Sequence, residues 1–370
     1  MEKNTVKPRV LVAPLDWGLG HATRCIPIIR ELMTQGCALW LAGEGAQEHL
    51  LKEEFPQLPF LQLEGYRIRY AKSSTGLVLN IFRQTKNILK AIKKENAWLK
   101  KMIHEYRFDA IISDNRFGLY HASVPCIFIT HQLTIRSPLG KWTEKFLQKR
   151  NYKYINRFTE CWVPDTNGEE NLAGELSHPL MKPTIPVKYT GPLSRFDYFA
   201  PSGNEDKKEH LLIILSGPEP QRSILENKIV KEISHYHGTA TIVRGLPGPS
   251  SLIPSTNMIH FYNHLPADEM YKEMLKAEFV ISRCGYSTVM DLAVMQKKSI
   301  LIPTPGQTEQ EYLSKYVQQK HFAYCIQQNK FSLDDALSKA KQFDFRFSEL
   351  NPEKILQQVV SDFISTLLKK

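Results

Sequence analysis

Long apolar runs are missing from these 370 residues, and cysteine is sparse. The first apolar stretch, Val10–Leu15, stops at Asp16. It fits a strand rather than a leader peptide, and no later run approaches the length of a bilayer span. The six cysteines (Cys25, Cys37, Cys126, Cys161, Cys284, Cys325) are scattered, with no Cys-x-x-Cys pair and no His/Cys cluster. That pattern belongs to reduced, mostly buried thiols of a cytoplasmic protein and argues against structural zinc. There is no Walker loop, no full dinucleotide fingerprint, no Asp-x-Asp pair, no internal repeat and no low-complexity tract. Zinc-finger spacing, an aromatic RNP-type strand and a basic arm are absent too, so nucleic acid is a minor reading. The net charge of +10 still points to an anionic partner. A phosphorylated small molecule and an anionic membrane face both fit it.

What is present is a repeated strand–turn–helix pattern long enough for two α/β domains. Ile281–Tyr312 shows it best. An apolar run ends in Arg283-Cys284-Gly285, Ser287 and Thr288 open a helix, and Ser299–Pro303 forms the next strand. Thr304-Pro305-Gly306-Gln307 then stops that strand, and Thr308 or Glu309 starts another helix. Both turns fall at the carboxyl ends of strands, where open α/β sheets bind ligands. Thr288, Asp291, Gln310 and Glu311 supply polar groups there of the kind that suit a sugar nucleotide.

The first half opens with a strand, Arg9–Leu15, followed by Gly18 and Gly20 and a helix from Ala22 to Leu32. This is the geometry in which backbone N–H groups and a helix N-terminus meet an anion. His21 stands at the helix start, with Thr23 and Arg24 just beyond. An imidazole titrates near neutrality and suits a general base that deprotonates a hydroxyl; the competing reading is a histidine that only caps the helix. Gly65–Gly76 reads as a mobile loop and Leu77–Tyr106 as one long helix or two abutting ones, with Ile81, Ile88, Ile92, Leu99, Ile103 and Tyr106 inward. Its lysines (Lys86, Lys90, Lys93, Lys94, Lys100, Lys101) form either a solvated face or one resting on anionic lipid headgroups. Two further strands end in polar groups, at Asp114 and at His131.

Gly191–Glu209, rich in proline and charge, is the interdomain crossing. In the second half, Leu211–Leu215 leads into Ser216-Gly217 and a helix with Arg222 in its first turn. A cation opposes the helix dipole there and suggests a bound diphosphate. Two more strands end at Arg244-Gly245 and Asn263-His264-Leu265. The domain limits are therefore 1–195, a linker at 196–209, 210–345, and a C-terminal helix within 346–370 that would pack back on the first domain.

Taken in order, GLGHATR (Gly18–Arg24), LSGPEPQRS (Leu215–Ser223), HLPADEM (His264–Met270), RCGYSTVMDL (Arg283–Leu292) and PTPGQTEQEY (Pro303–Tyr312) resemble the motifs of glycosyltransferase family 28. The resemblance implies the GT-B fold, two Rossmann-like doubly wound domains facing a central cleft. It implies transfer of a hexose or N-acetylhexosamine from a UDP-linked sugar to an acceptor hydroxyl, with inversion, no metal and no cofactor. By that likeness Gly18, Gly20, Thr23, Arg24, Asp114 and His131 face the acceptor or its phosphates, and His21 is the base. Ser216, Gly217, Arg222, Gly285, Ser287 and Thr288 would surround the donor diphosphate, with Arg244 and His264 beside them. Leu265 would cover the base, Asp291 hold the ribose, and Gln310 and Glu311 the hexose. The chain departs from the family in the prolines and Glu219 of its second Gly loop and in Gln-Glu where the family has Gln-Gln. The acceptor would be a saccharide or lipid-linked molecule at the inner face of the cell membrane. A nucleotide-sugar hydrolase of the same fold, which GLGHATR also resembles, and a non-catalytic sugar-nucleotide-binding protein are the rival readings. A UDP-sugar 2-epimerase would need a carboxylate cluster that the sequence does not show.

Overall fold

The computed structural model describes residues 7–66, 74–197, 209–247, 250–348, 350 and 352–369. Its backbone is two parallel sheets wrapped by helices. The first runs β1 (Arg9–Pro14), β2 (Ala38–Gly43), β3 (Phe60–Gln62), β4 (Ala110–Asp114), β5 (Cys126–Ile129), β6 (Glu160–Val163) and β7 (Val187–Tyr189). In space the order is β3-β2-β1-β4-β5-β6-β7. The second sheet contains β8 (His210–Ile214), β9 (Thr239–Val243), β10 (Ile259–Tyr262), β11 (Phe279–Arg283), β12 (Ser299–Ile302) and β13 (Tyr324–Cys325). It is ordered β10-β9-β8-β11-β12-β13. Among the described residues every strand pair is parallel, and both sheets reverse direction of winding beside their first strand. This is the doubly wound α/β architecture, and the crevice at each reversal is its natural ligand site. Helices cover both faces, so β4, β5, β8, β11 and β12 are buried at every position.

Helix α1 (Leu19–Thr34) starts three residues earlier than the apolar spacing suggests, because Gly18 takes a φ of 83° and turns the chain directly out of β1. The shift moves His21 into the first helical turn. After α2 (Ala46–Glu54), α3 (Ser74–Tyr106) buries Ile92, Glu95, Leu99 and Met102 and exposes Lys90, Lys93, Lys94, Lys100 and Lys101. The expected mobile loop falls largely on 67–73, outside the described residues, as do the side chains of Ile81 and Lys86. Most of the expected linker, 198–208, also lies outside them. A further helix, α4 (Lys141–Ile155), has no apolar stripe to betray it: only Gln148 and Ile155 are buried along it.

The second lobe holds α5 (Gln221–Ile233), α6 (Ala267–Lys276), α7 (Tyr286–Met295), α8 (Thr308–Gln319) and α9 (Leu333–Lys341). The chain then returns to the first lobe through α10 (Pro352–Leu368). Phe363 of α10 meets the Trp162 ring edge-on at 5.5 Å, and Leu356, Val360 and Ile364 join the same core as Ile26 and Ile29 of α1. Burying a side chain such as Phe363 contributes about 1.5–3 kcal/mol, so α10 is a firm strap between the lobes. Among the described residues, no helix is long and apolar enough to cross a membrane.

Candidate active site

The reversal points of the two sheets face each other. In the first lobe, the Gly loop after β1 is pinned by Gln47, whose Nε2 donates to the Gly18 carbonyl at 3.1 Å. Asp114 ends β4, fully buried, with its carboxylate under the first turn of α1. His21 Nδ1 lies 3.0 Å from Asp114 Oδ1, and the His21 side chain keeps 15% exposure. Arg24 grips the same carboxylate, Nε to Oδ2 at 2.5 Å and Nη2 to Oδ1. Its Nη1 reaches His131 Nδ1 at 3.1 Å. Burial alone would push the Asp114 carboxyl up, but Arg24 and His21 hold it down at about 2. Burial, with the Arg24 charge adding to it, lowers His21 below 6.5 despite Asp114. The imidazole is therefore neutral at physiological pH. An ionised Asp114 accepts the Nδ1 proton and leaves the Nε2 lone pair free as a base.

The loop beneath is equally fixed. Arg116, wholly buried, donates to Glu95 of α3 at 2.5 Å and to the Pro14 carbonyl at 3.1 Å. Glu95 also accepts from Tyr66 and from the Gly118 amide. Burying this pair holds the carboxyl end of β4 against the end of β1. That keeps Asp114 in line with α1.

The second lobe presents the N-termini of α5 and α7. Helices α5 and α7 have no acidic residue in their first turns, and neither does α1 opposite. At α5 the Glu219 carboxylate, just before the helix, accepts from the Ser223 amide at 3.3 Å, and at α1 Asp114 lies beneath the first turn, so the positive end of α7 is the one without a carboxylate among the described residues. Gly217 has a φ of 103°, and the nearest atom to a Cβ there is Thr304 Oγ1 at 3.7 Å. Among the described residues that buried hydroxyl finds no hydrogen-bond partner, and neither does Nε of Arg283. Burial lowers the Arg283 guanidinium to about 10, and its Nη2 donates to the Gln221 carbonyl at 2.6 Å. Gly285, N-cap of α7, has open space where a side chain would be. Ser287 Oγ donates across the gap to the Gly20 carbonyl at 2.8 Å. Thr288 beside it is half-buried.

Several other residues singled out in the sequence are already engaged. Arg222 pairs with Glu219 at 2.6 Å and Glu226 at 3.2 Å, which gives its place in the first turn of α5 a second explanation besides a diphosphate. Arg244 pairs with Glu226 and donates to Asn263 at 2.7 Å. Asp291 accepts from Ser194 at 2.8 Å and pairs with Arg195 at 3.2 Å, so it faces the interlobe crossing. Gln310 Oε1 accepts from the Thr304 amide and Glu311 Oε1 from the Gly306 amide, both at 2.9 Å. Those bonds shape the loop after β12. Leu265 is buried, and the loop it shares with His264 rests on the first lobe, where Glu54 of α2 accepts from the Ala267 amide at 2.9 Å. Thr23 back-bonds to the Gly20 carbonyl at 3.1 Å and Ser216 is half-buried at the mouth.

Three participants have no signal in the sequence. Glu309 of α8 accepts from His131 Nε2 at 2.7 Å and from Gln132. Tyr286 stacks on the His131 ring at 4.3 Å and donates to the Pro164 carbonyl. Arg195 joins Asp291. Each pairs residues far apart in the chain, which local spacing cannot reveal.

Residues 254–363 match the glycosyltransferase family 28 C-terminal domain. An uncharacterized glycosyltransferase of Methanosarcina acetivorans is 22% identical over 340 residues, covering 86% of this chain and 85% of its own. The UDP-N-acetylglucosamine--N-acetylmuramyl-(pentapeptide) pyrophosphoryl-undecaprenol N-acetylglucosamine transferase of Haemophilus ducreyi is 21% identical over 336 residues, covering 86% and 85%. Among solved structures, Acinetobacter baumannii MurG superposes with a TM-score of 0.53 at 14% identity, over 98% of this chain and 100% of that one. The glycosyltransferase SnogD of Streptomyces nogalater does so with 0.57 at 10% identity, over 98% and 100%. Residues 254–363 are thus similar to the family 28 C-terminal domain, and the chain is a glycosyltransferase with the GT-B fold.

Proposed function

We propose that this enzyme moves a hexose or N-acetylhexosamine from a UDP-linked sugar to an acceptor hydroxyl, with inversion and without a metal ion. The observation that carries this reading is the His21–Asp114 pair, 3.0 Å apart at one reversal point, next to Gly20, whose carbonyl accepts from Ser287 of α7 at the other. His21 Nε2 takes the acceptor's proton as its oxygen attacks the anomeric carbon. The bond from that carbon to the diphosphate oxygen breaks with its electron pair, through an oxocarbenium-like transition state. Attack from the face opposite the leaving group inverts the centre. The charge released falls to the N-termini of α5 and α7, with Ser216, Gly217, Ser287 and Thr288 around it. The partnerless Thr304 hydroxyl and Arg283 Nε are further donors that a bound oxyanion would satisfy. An ionised carboxylate has about four acceptor sites, so Asp291 can hold a ribose hydroxyl while keeping Ser194 and Arg195.

The uracil base and a lipid-linked acceptor are supported by the relative from Haemophilus ducreyi, whose name carries UDP-N-acetylglucosamine and a pyrophosphoryl-undecaprenol. The outer face of α4 suits such an acceptor. Leu139, Trp142 and Phe146 are 65%, 79% and 54% exposed there, among exposed Lys141, Lys145, Lys149, Arg150 and Lys153. Apolar wedges inside a basic field rest well on anionic headgroups. These features support a reading in which the enzyme works at the inner face of the cell membrane on envelope glycan or glycolipid.

The test is a panel of nucleotide sugars offered to the purified chain with lipid-linked and soluble acceptors, with and without EDTA. Release of UDP that depends on an acceptor, with an inverted linkage by NMR and no effect of EDTA, is the expected result. Free sugar released at the same rate without acceptor would make it a hydrolase, and tight UDP binding without turnover a binding protein.

A further inference from the structure

Glu309 stands on the first turn of α8, in the lobe opposite the base, yet its carboxylate is built into the first lobe's polar core. From it a continuous chain of hydrogen bonds reaches the active site. Glu309 Oε1 meets His131 Nε2 at 2.7 Å, His131 Nδ1 meets Arg24 Nη1 at 3.1 Å, and Arg24 holds both oxygens of Asp114, which in turn holds His21. Chemistry fixes the direction at every link. An ionised carboxylate only accepts and a guanidinium only donates, so His131 must carry its proton on Nε2 and offer Nδ1 to Arg24. Tyr286, stacked on the His131 ring from the second lobe, fixes its plane. Arg24 needs that third anchor. Its Nη2 is already within hydrogen-bonding reach of His21 Nδ1, at 2.9 Å, so Arg24 and Asp114 compete for that nitrogen, and a shift of Arg24 would let its donation there win. The proton of His21 would then sit on Nε2, and the base would be lost.

Resting on the transfer reaction proposed above, we propose that Glu309 is a positioning residue: through His131 and Arg24 it aligns the His21 base only while the two lobes are in contact. Glu309 and His131 belong to different sheets, so an opening of the cleft that admits a bulky donor separates them. Closure on the donor restores the relay, and the base is completed after the reactive sugar is enclosed. The neighbouring Thr308 hydroxyl also crosses the gap, to the Arg136 carbonyl at 3.1 Å, but touches no member of the relay.

That pair of neighbours provides the experiment. Glu309→Ala is expected to lower kcat by about 10–100-fold with the donor KM within about 3-fold, and Glu309→Gln, which keeps an acceptor oxygen, to lie between it and the parent. Thr308→Val is expected to leave kcat unchanged. In a His21→Ala background Glu309→Ala should cost less than about 2-fold, because two groups acting through one step do not add. The same full-length variants labelled with 15N-histidine give a readout that needs no turnover. The parent and Thr308→Val should show His21 protonated on Nδ1, and Glu309→Ala should lose that pattern. An unchanged His21 pattern in Glu309→Ala, or an undiminished cost in the His21→Ala background, overturns the proposal. Absence of any sugar transfer by the parent would sink the functional reading instead, while the 15N pattern still decides the role of Glu309.

Discussion

Asp114→Asn changes one oxygen to an NH2 group at the centre of the base assembly, and its consequences separate cleanly into stability and rate. Holding the carboxyl at about 2 instead of 3.8 amounts to roughly 2 kcal/mol of preference for the ionised form. The substitution forfeits that and leaves the Arg24 guanidinium, 2% exposed, without a counter-charge. Removing one partner of a buried ion pair costs about 3–5 kcal/mol, so urea unfolding at pH 7.5 comes first and should show a lowered midpoint with a folded baseline. The rate effect has another origin. Arg24 only donates, so the asparagine oxygen must turn to it and the amide N–H must face His21 Nδ1. That nitrogen then accepts, the imidazole proton moves to Nε2, and the atom that should receive the acceptor's proton is blocked. Turnover in the folded variant is expected to drop about 10²–10⁴-fold. Asp114→Asn combined with His21→Ala should be no slower than the worse single variant. The pH profile isolates the two groups. A carboxyl depressed in the folded state contributes stability above 3.8 that is lost as pH falls toward 2, so Asp114 stays ionised through the assay range. The acid limb of kcat/KM should therefore fall below pH 6.5, where His21 takes up its proton. A folded Asp114→Asn enzyme that kept more than about a tenth of parental turnover would refute the assigned tautomer and with it the base.

Acid should also loosen the lobes through His264, which burial and the nearby Arg195 charge lower to about 4. Glu53, 3.7 Å away, is 48% exposed and too well solvated to offset this. A histidine depressed in the folded state contributes stability above 6.5 that is lost as pH falls toward 4. Urea titrations at pH 7.5 and 5 should give His264→Asn a loss smaller than the parent's by roughly 2 kcal/mol, and equal losses would remove His264 from the account. On the membrane side, sedimentation with vesicles of anionic lipid should pull down the parent at low salt, while Trp142→Ser with Phe146→Ser should reduce binding about 10-fold or more. Equal binding by parent and variant, or binding indifferent to lipid charge, would dismiss α4 as the contact.

How far the residues announced this arrangement depends on the distance over which each part is specified. The two doubly wound sheets are legible because most strands are short apolar runs followed closely by Gly, Pro, Asp or Asn, so that each such run carries its own turn chemistry. Helix α4 escapes because its inner face is made by Gln148 and Ile155 alone, and its aromatics point outward where periodicity expects an inner stripe. At the cleft, His21 and Asp114 can each be singled out locally, one by a Gly turn and one by a strand end. Their pairing across 93 residues follows only from β1 and β4 being neighbours in the sheet.

Glu309 lies beyond any such reading. In the sequence it is an ordinary acidic residue in a first helical turn, a placement that helix electrostatics explains without further function. Its link to His131 spans 178 residues and joins two separately folded sheets. No propensity of either segment encodes that contact; it arises from how the crossing at Ser194–Asp291 and the α10 strap set one lobe against the other. A group specified by the assembly of lobes, rather than by either lobe, can report whether they are assembled. That is the physical reason to look for coupling between closure and base at Glu309 rather than at Gln310 or Glu311, whose carbonyl and carboxylate oxygens, among the described residues, bond to the amides of their own loop.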